Sequence, residues 1–88
     1  MSPEDALRVV YRPYVTEKTF DLIERQNKIC FLVESKASKK KIKNAIETLY
    51  QVKVSTVNTS ITLIGKKAFV RLAPESSAVD LASKLGLV

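Results

Sequence analysis

The sequence has no histidine and no tryptophan, and among its 88 residues it holds one cysteine, two glycines and three prolines. Each scarcity removes a class of function. Without histidine, and with Cys30 as the lone thiol inside the apolar run Ile29–Val33, no nucleophile–base pair can be assembled. The same lack of nitrogen and sulfur ligands excludes a zinc-type metal site. One cysteine has no partner for an internal disulfide, and its apolar setting fits a buried thiol in a reducing compartment. No glycine-rich phosphate loop is present, so nucleotide chemistry has no cradle. Glu17, Asp21 and Glu24 do bring carboxylates together, but at the spacing of a solvated helix face. No run approaches the roughly 18 apolar residues of a membrane span. The opening Met1-Ser2-Pro3-Glu4-Asp5 lacks the character of a secretory leader. The expectation is a soluble intracellular protein that is not an enzyme, with no cofactor, no metal and no membrane insertion.

What is present is an ordinary globular composition, 45% apolar and 27% charged. Residues 1–88 are expected to form one domain with a thin core, since a chain this short buries only about 60–65% of its unfolded surface. Leu7-Arg8-Val9-Val10-Tyr11, stopped by Pro13, reads as a brief strand. Thr16 offers an N-cap for a short helix with Phe20 and Ile23 on one face, and Asn27 suits its left-handed end. Ile29 to Val33 is a strand apolar on both sides, which requires cover on both faces of the sheet there. Ser38 caps the best-defined helix, where Ile42, Ala45, Ile46 and Leu49 make an apolar stripe. From Val52 to Thr62 runs a long β-branched strand whose apolar parity shifts near Thr56–Val57, predicting a bulge. Gly65-Lys66-Lys67 reads as a turn and Ala68–Leu72 as the returning strand. Ser77 and Asp80 resemble a capping box for a last helix bearing Ala78, Leu81, Ala82 and Leu85, which Gly86 ends. The fold class is therefore α/β (α+β): a small, mostly antiparallel sheet with helices on both faces, in the order β-α-β-α-β-β-α.

Charge carries the functional information. The net charge of +6 is unevenly placed. Residues 1–35 hold five basic and six acidic side chains, residues 36–73 nine and one, and residues 74–88 one and two. Such a block attracts polyanions, and nucleic acid is the commonest inside a cell. Lys36, Lys39, Lys40, Lys41 and Lys43 crowd a helix start, where the macrodipole is already positive and folding alone would favour Asp or Glu. Free N–H groups beside several lysines suit a phosphate backbone. Lys39, Lys40 and Lys43 flank one edge of the apolar face, while Lys41 points the other way. Lys66, Lys67 and Arg71 make a second patch, although lysines at a hairpin also guard a sheet edge. The stretch Gly65–Leu72 superficially matches the signature strand of an RNA-recognition motif. Lys67 and Leu72 replace two of its stacking aromatics, so this reading predicts contact with RNA shape and backbone and none with splayed-out bases.

Arg12-Pro13-Tyr14-Val15-Thr16-Glu17-Lys18 resembles the RPxxTEK segment of the universal ribosomal protein twenty-three family of the large subunit. Asn27-Lys28, Ala37-Ser38-Lys39, Val57-Asn58-Thr59, Gly65-Lys66-Lys67-Ala68 and Leu85-Gly86 follow in the family's order, from about Val9 to Val88. The short hairpin and Leu-Gly ending are similar to the archaeal branch, which lacks the long tunnel-reaching insertion of bacterial members. The resemblance implies three α/β/α layers, binding to large-subunit ribosomal RNA, and a place at the polypeptide exit of cytoplasmic ribosomes. It also implies ribosomal protein twenty-nine as a neighbour, with signal recognition particle and the protein-conducting channel as docking partners. Glu17 corresponds to the family's TEK glutamate, so Glu17 and Asp21 would belong to the docking side. Arg12, Asn58 and Thr59 join Lys36, Lys39, Lys40, Lys43, Lys66 and Lys67 as expected RNA contacts.

Two other classes compete. A protein-interaction module would use the basic face for an acidic partner. A DNA-binding architectural protein fits less well, because no helix is basic throughout and no seam for homo-oligomers is apparent.

Overall fold

The apolar run around Cys30 becomes the spine of the sheet. A computed structural model describes residues 1–87; Val88, the last residue of the family resemblance, lies outside the described residues. In chain order the elements are α1 (Pro3–Val9), β1 (Val10–Pro13), α2 (Glu17–Gln26), β2 (Lys28–Val33), α3 (Lys39–Tyr50), β3 (Val54–Thr62), β4 (Gly65–Leu72) and α4 (Ala78–Lys84). The sheet runs β1-β2-β4-β3 with every neighbouring pair antiparallel. The mixed α/β class and the order of elements from β1 onward agree with the sequence reading.

Every residue from Ile29 to Val33 is buried, as an apolar run between two partner strands requires. Ile29, Phe31 and Val33 share one side with Ala68 and Val70 of β4 and Val57 of β3. The same core takes in Ala6 and Val9 of α1, Ile23 of α2, Ile42, Ala45 and Ile46 of α3, and Ala78, Leu81 and Ala82 of α4, while Thr19 and Leu22 of α2 also line a cleft with Lys67 and Phe69 on the other face. All four helices thus feed one core. Phe31 anchors it, with its ring stacked on Tyr50 at 5.6 Å between centroids. Cys30 and Leu32 face the opposite side, buried among different neighbours.

Two local structures differ from the sequence reading, each for a clear reason. Residues 3–9 form a helix where Leu7–Tyr11 suggested a strand. The Ser2 hydroxyl accepts from the Asp5 N–H, Pro3 opens the first turn, and Glu4 and Asp5 complement the dipole there. Those starting signals outweigh the β-branched pair Val9-Val10, which the chain divides between helix end and strand start. The hairpin turns at Leu63-Ile64, two residues earlier than expected, and Gly65 already pairs with Thr62. Gly65 is needed for its backbone, at φ 126°. The expected bulge is present: register slips between Val54 and Thr56, so Val54 and Val57 both reach the core.

Asn27 ties three elements together. It ends α2 in the left-handed conformation at φ 55°. Its Nδ2 donates to the carbonyls of Leu72 (3.2 Å) and Ser76 (2.9 Å), and its Oδ1 accepts from the Ala78 N–H at 2.7 Å. One side chain therefore closes α2, holds the end of β4 and caps the start of α4. Asn27→Ala should lose about 2–4 kcal/mol from unmade hydrogen bonds and a strained backbone. That loss would lower the thermal midpoint on the order of 10–20 °C. Asn27→Gly, which keeps the backbone freedom, should fall between the two; equal midpoints for Asn27→Ala and the parent would refute the latch.

Candidate nucleic-acid interface

Helix α3 breaks a rule that the other three helices keep. In α1, α2 and α4 the first turn is acidic and the last turn basic, as the macrodipole favours. In α3 the first turn carries no acid and the last turn no base, while Lys39, Lys40 and Lys41 open it. The Ser38 hydroxyl accepts from the Lys41 N–H at 3.2 Å, which satisfies one free donor without adding negative charge. Burial of Ile42, Ala45 and Ile46 holds the helix in place despite the unfavourable charge.

That burial fixes where the lysines go. Lys39, Lys40 and Lys43 form one wall of a shallow groove of about 390 Å³, and Ser55, Thr56, Val57 and Asn58 of β3 form the other. β3 is an edge strand, so its outer backbone groups lack a strand partner. Among the described residues, the ion pairs are Asp21–Arg25 and Lys53–Glu75, and neither involves a groove lysine. The only acid in the basic block, Glu47, turns its Oε2 to the Val54 N–H at 3.1 Å and pins α3 to the bulge. The groove therefore presents positive charge, hydroxyls and an amide with no carboxylate in its walls.

The other expected contacts divide among different places. Lys36 lines a cleft of about 640 Å³ between α1 and the start of α3, together with Lys41, Arg8, Asp5 and Glu34. Glu34 accepts from the Lys36 N–H and orders that corner. Lys66 is half-buried and donates from Nζ to the Ala37 carbonyl at 2.8 Å, fastening the hairpin to the turn before α3. Arg12, Lys67 and Asn58 share the open side of the sheet, because Leu32 pairs with both Arg12 and Lys67 and Asn58 pairs with Phe69. Thr59 pairs with Ala68 and turns to the core side, where it is half-buried.

The strand register also groups residues that the sequence reading did not. Lys28 and Arg71 pair across β2 and β4, Thr56 lies beyond Arg71, and Ser60 beyond Lys67. The signal was the alternation of β4, legible only once the hairpin turn is fixed at Leu63-Ile64. Lys67 sits over the Tyr14 ring at 4.0 Å from its centroid.

On α2, Glu17 and Asp21 are exposed. Glu17 lines a cleft of about 570 Å³ with Tyr14, Lys18, Leu22, Lys67 and Phe69. Asp21 pairs with Arg25 at 3.5 Å on the surface, an interaction worth under about 1 kcal/mol.

Cys30 offers no chemistry here. Burial raises its thiol from an ordinary 9.0 to about 11, and the Lys67 cation only partly offsets this. The thiol is neutral at pH 7 and should react with an aromatic disulfide reagent only on unfolding. Because the folded state holds this proton more tightly, its stabilising effect is complete below pH 9.0 and lost as pH rises towards 11. Cys30→Val should flatten the fall of stability across that window; an identical fall would show that Cys30 titrates freely.

Fold and surface together describe a small basic α/β protein with a lysine-walled groove at its sheet edge. The chain belongs to the ribosomal protein L23 family, whose model matches residues 8–67. It is 45% identical over 84 residues to the large ribosomal subunit protein uL23 of Methanothermobacter thermautotrophicus, covering 94% of this chain and 98% of that protein. The protein of the same name from Methanobrevibacter smithii gives the same identity and coverage. The uL23 of Trypanosoma brucei brucei is 47% identical over 85 residues, which span 96% of this chain but 52% of the trypanosome protein. The near end-to-end match with two archaeal proteins agrees with the archaeal character of the hairpin and C-terminus. These relatives are named as ribosomal proteins and not as enzymes.

Proposed function

We propose that this protein binds large-subunit ribosomal RNA through the groove between α3 and β3, as a structural component of the large subunit in cytoplasmic ribosomes. Lys39, Lys40 and Lys43 meet phosphates, and Asn58 supplies a donor and an acceptor for a sugar or base edge. Lys36, Lys66, Lys67 and Arg12 extend the contact, while Thr59 contributes at most from its half-buried position on the core side. The observation that carries this reading is the inverted charge of α3, which opposes helix stability and is relieved when phosphates arrive. Family membership supports ribosomal RNA as that polyanion.

On this reading the exposed α2 surface, with Glu17 at its border with the Lys67–Phe69 cleft and Asp21 one turn further on, lies beyond the RNA contacts at the polypeptide exit. There it helps form a docking surface for signal recognition particle and the protein-conducting channel, beside ribosomal protein twenty-nine. The absence of acid from the lysine groove and the mixed charge of α2 support this division of the surface.

Lys39→Glu with Lys40→Glu tests the RNA reading. The variant should bind a large-subunit ribosomal RNA transcript more weakly. Each lost phosphate contact should reduce the steepness of log affinity against log salt by roughly 0.7–0.9. Thermal stability should hold or rise slightly, because each glutamate now complements the dipole by about 0.3–1 kcal/mol. An unchanged slope would remove these lysines from the interface and favour an acidic protein as the partner of the basic face.

A further inference from the structure

We propose that the open side of the sheet is a second RNA-contacting surface, on which Phe69 stacks an unpaired nucleobase whose edge is met by Asn58. The inference rests on the ribosomal RNA reading and adds to it a base contact on the far side of β3, bordering the lysine groove at Asn58.

The surface follows from the strand register. On this side, one row across the sheet holds Arg12, Leu32, Lys67 and Ser60, the next Cys30, Phe69 and Asn58, and a third Lys28, Arg71 and Thr56. The rows contain four cations and no carboxylate. On this side Cys30 and Leu32 are buried and Thr19 and Leu22 of α2 line a cleft with Lys67 and Phe69, whereas Thr56, Asn58, Ser60, Arg12 and Arg71 are exposed. Phe69 stands at the centre, half-buried, with Lys67 and Arg71 two residues to either side on the same face.

Chemistry selects the occupant. A lone ring framed by cations and short polar side chains suits a flat, π-faced group on an anionic backbone, which is a nucleotide. Asn58 lies directly opposite Phe69 across β3 and β4, and its amide can both donate and accept at a base edge. Thr56 and Ser60 lie in the flanking rows and can meet ribose hydroxyls. An aliphatic protein anchor would gain nothing from the surrounding charge. Glu17 bounds the cleft on its α2 wall, beside Tyr14 and Lys67, and so confines an anionic strand to the β3 side of Phe69. The nearest comparison within nucleic-acid recognition is a sheet that stacks bases, reduced to a single aromatic. The sequence alone argued against such contact because Lys67 and Leu72 replace two ring positions. In the structure Leu72 turns to the core side and Lys67 covers Tyr14, which leaves Phe69 as a one-base platform.

The test uses the full chain and a large-subunit ribosomal RNA transcript. Phe69→Leu keeps apolar bulk but removes the π-face, and Phe69→Trp restores it. Phe69→Leu should bind about five- to 150-fold more weakly, with the salt slope unchanged, and Phe69→Trp should recover the affinity. A thermal midpoint matching the parent's ensures that the loss is not one of folding. If Phe69→Leu binds like the parent while Lys39→Glu with Lys40→Glu still weakens binding, the stacking proposal fails and the phosphate reading stands. If the parent shows no affinity for the transcript, both fall together.

Discussion

The structure depends on burying β2 completely. Five consecutive apolar residues, Ile29 to Val33, cannot be satisfied by a sheet with one wet face, so strands close on either side and side chains cover both surfaces. Their odd members gather all four helices into one core. Because β2 and β4 supply the centre of that core, α3 is held along one stripe, Ile42, Ala45 and Ile46, with Leu49 and Tyr50 partly buried beside it. The rest of its surface is free to carry charges that a self-sufficient helix would avoid. The electrostatic cost of the lysine cluster is thus borne by packing elsewhere.

The same constraint sets the geometry of the interface. Pairing β4 between β2 and β3 leaves β3 at the edge, and the bulge at Ser55 lets Val54 and Val57 both point inward while α3 passes close by. Glu47, half-buried, then locks the helix to that bulge through its hydrogen bond to the Val54 N–H. The groove and the open side of the sheet consequently meet along β3, with Asn58 on their common border. A strand with polar outer positions beside lysines suits RNA, where an apolar edge would invite aggregation.

Much of this was legible in the sequence because it rests on local patterns. The stripe of α3, the caps at Thr16 and Ser38, the parity shift of β3 and the block of lysines all depend on residues a few positions apart. What escaped was set by pairing between distant segments or by competing local signals. Ser2-Pro3-Glu4-Asp5 is a helix start, but it was hidden beside the β-branched Val9-Val10. The turn at Leu63-Ile64 lacks the usual glycine or asparagine, so Gly65 drew the prediction two residues late. Lys66 looked like a free cation, yet its ammonium is tied to a carbonyl from the segment before α3. The grouping of Arg12, Lys67 and Asn58 on one face, with Thr59 on the other, requires the register of four strands and is invisible to spacing alone.

The most direct test of the central claim is acetylation of lysines on the free protein and on intact large subunits, with each site quantified by mass spectrometry. Strong protection of Lys39, Lys40 and Lys43 on the ribosome, with Lys18 on α2 still reactive, is the predicted result. Equal reactivity of the groove lysines in both states, or protection of Lys18 alone, would contradict an RNA-facing α3–β3 groove.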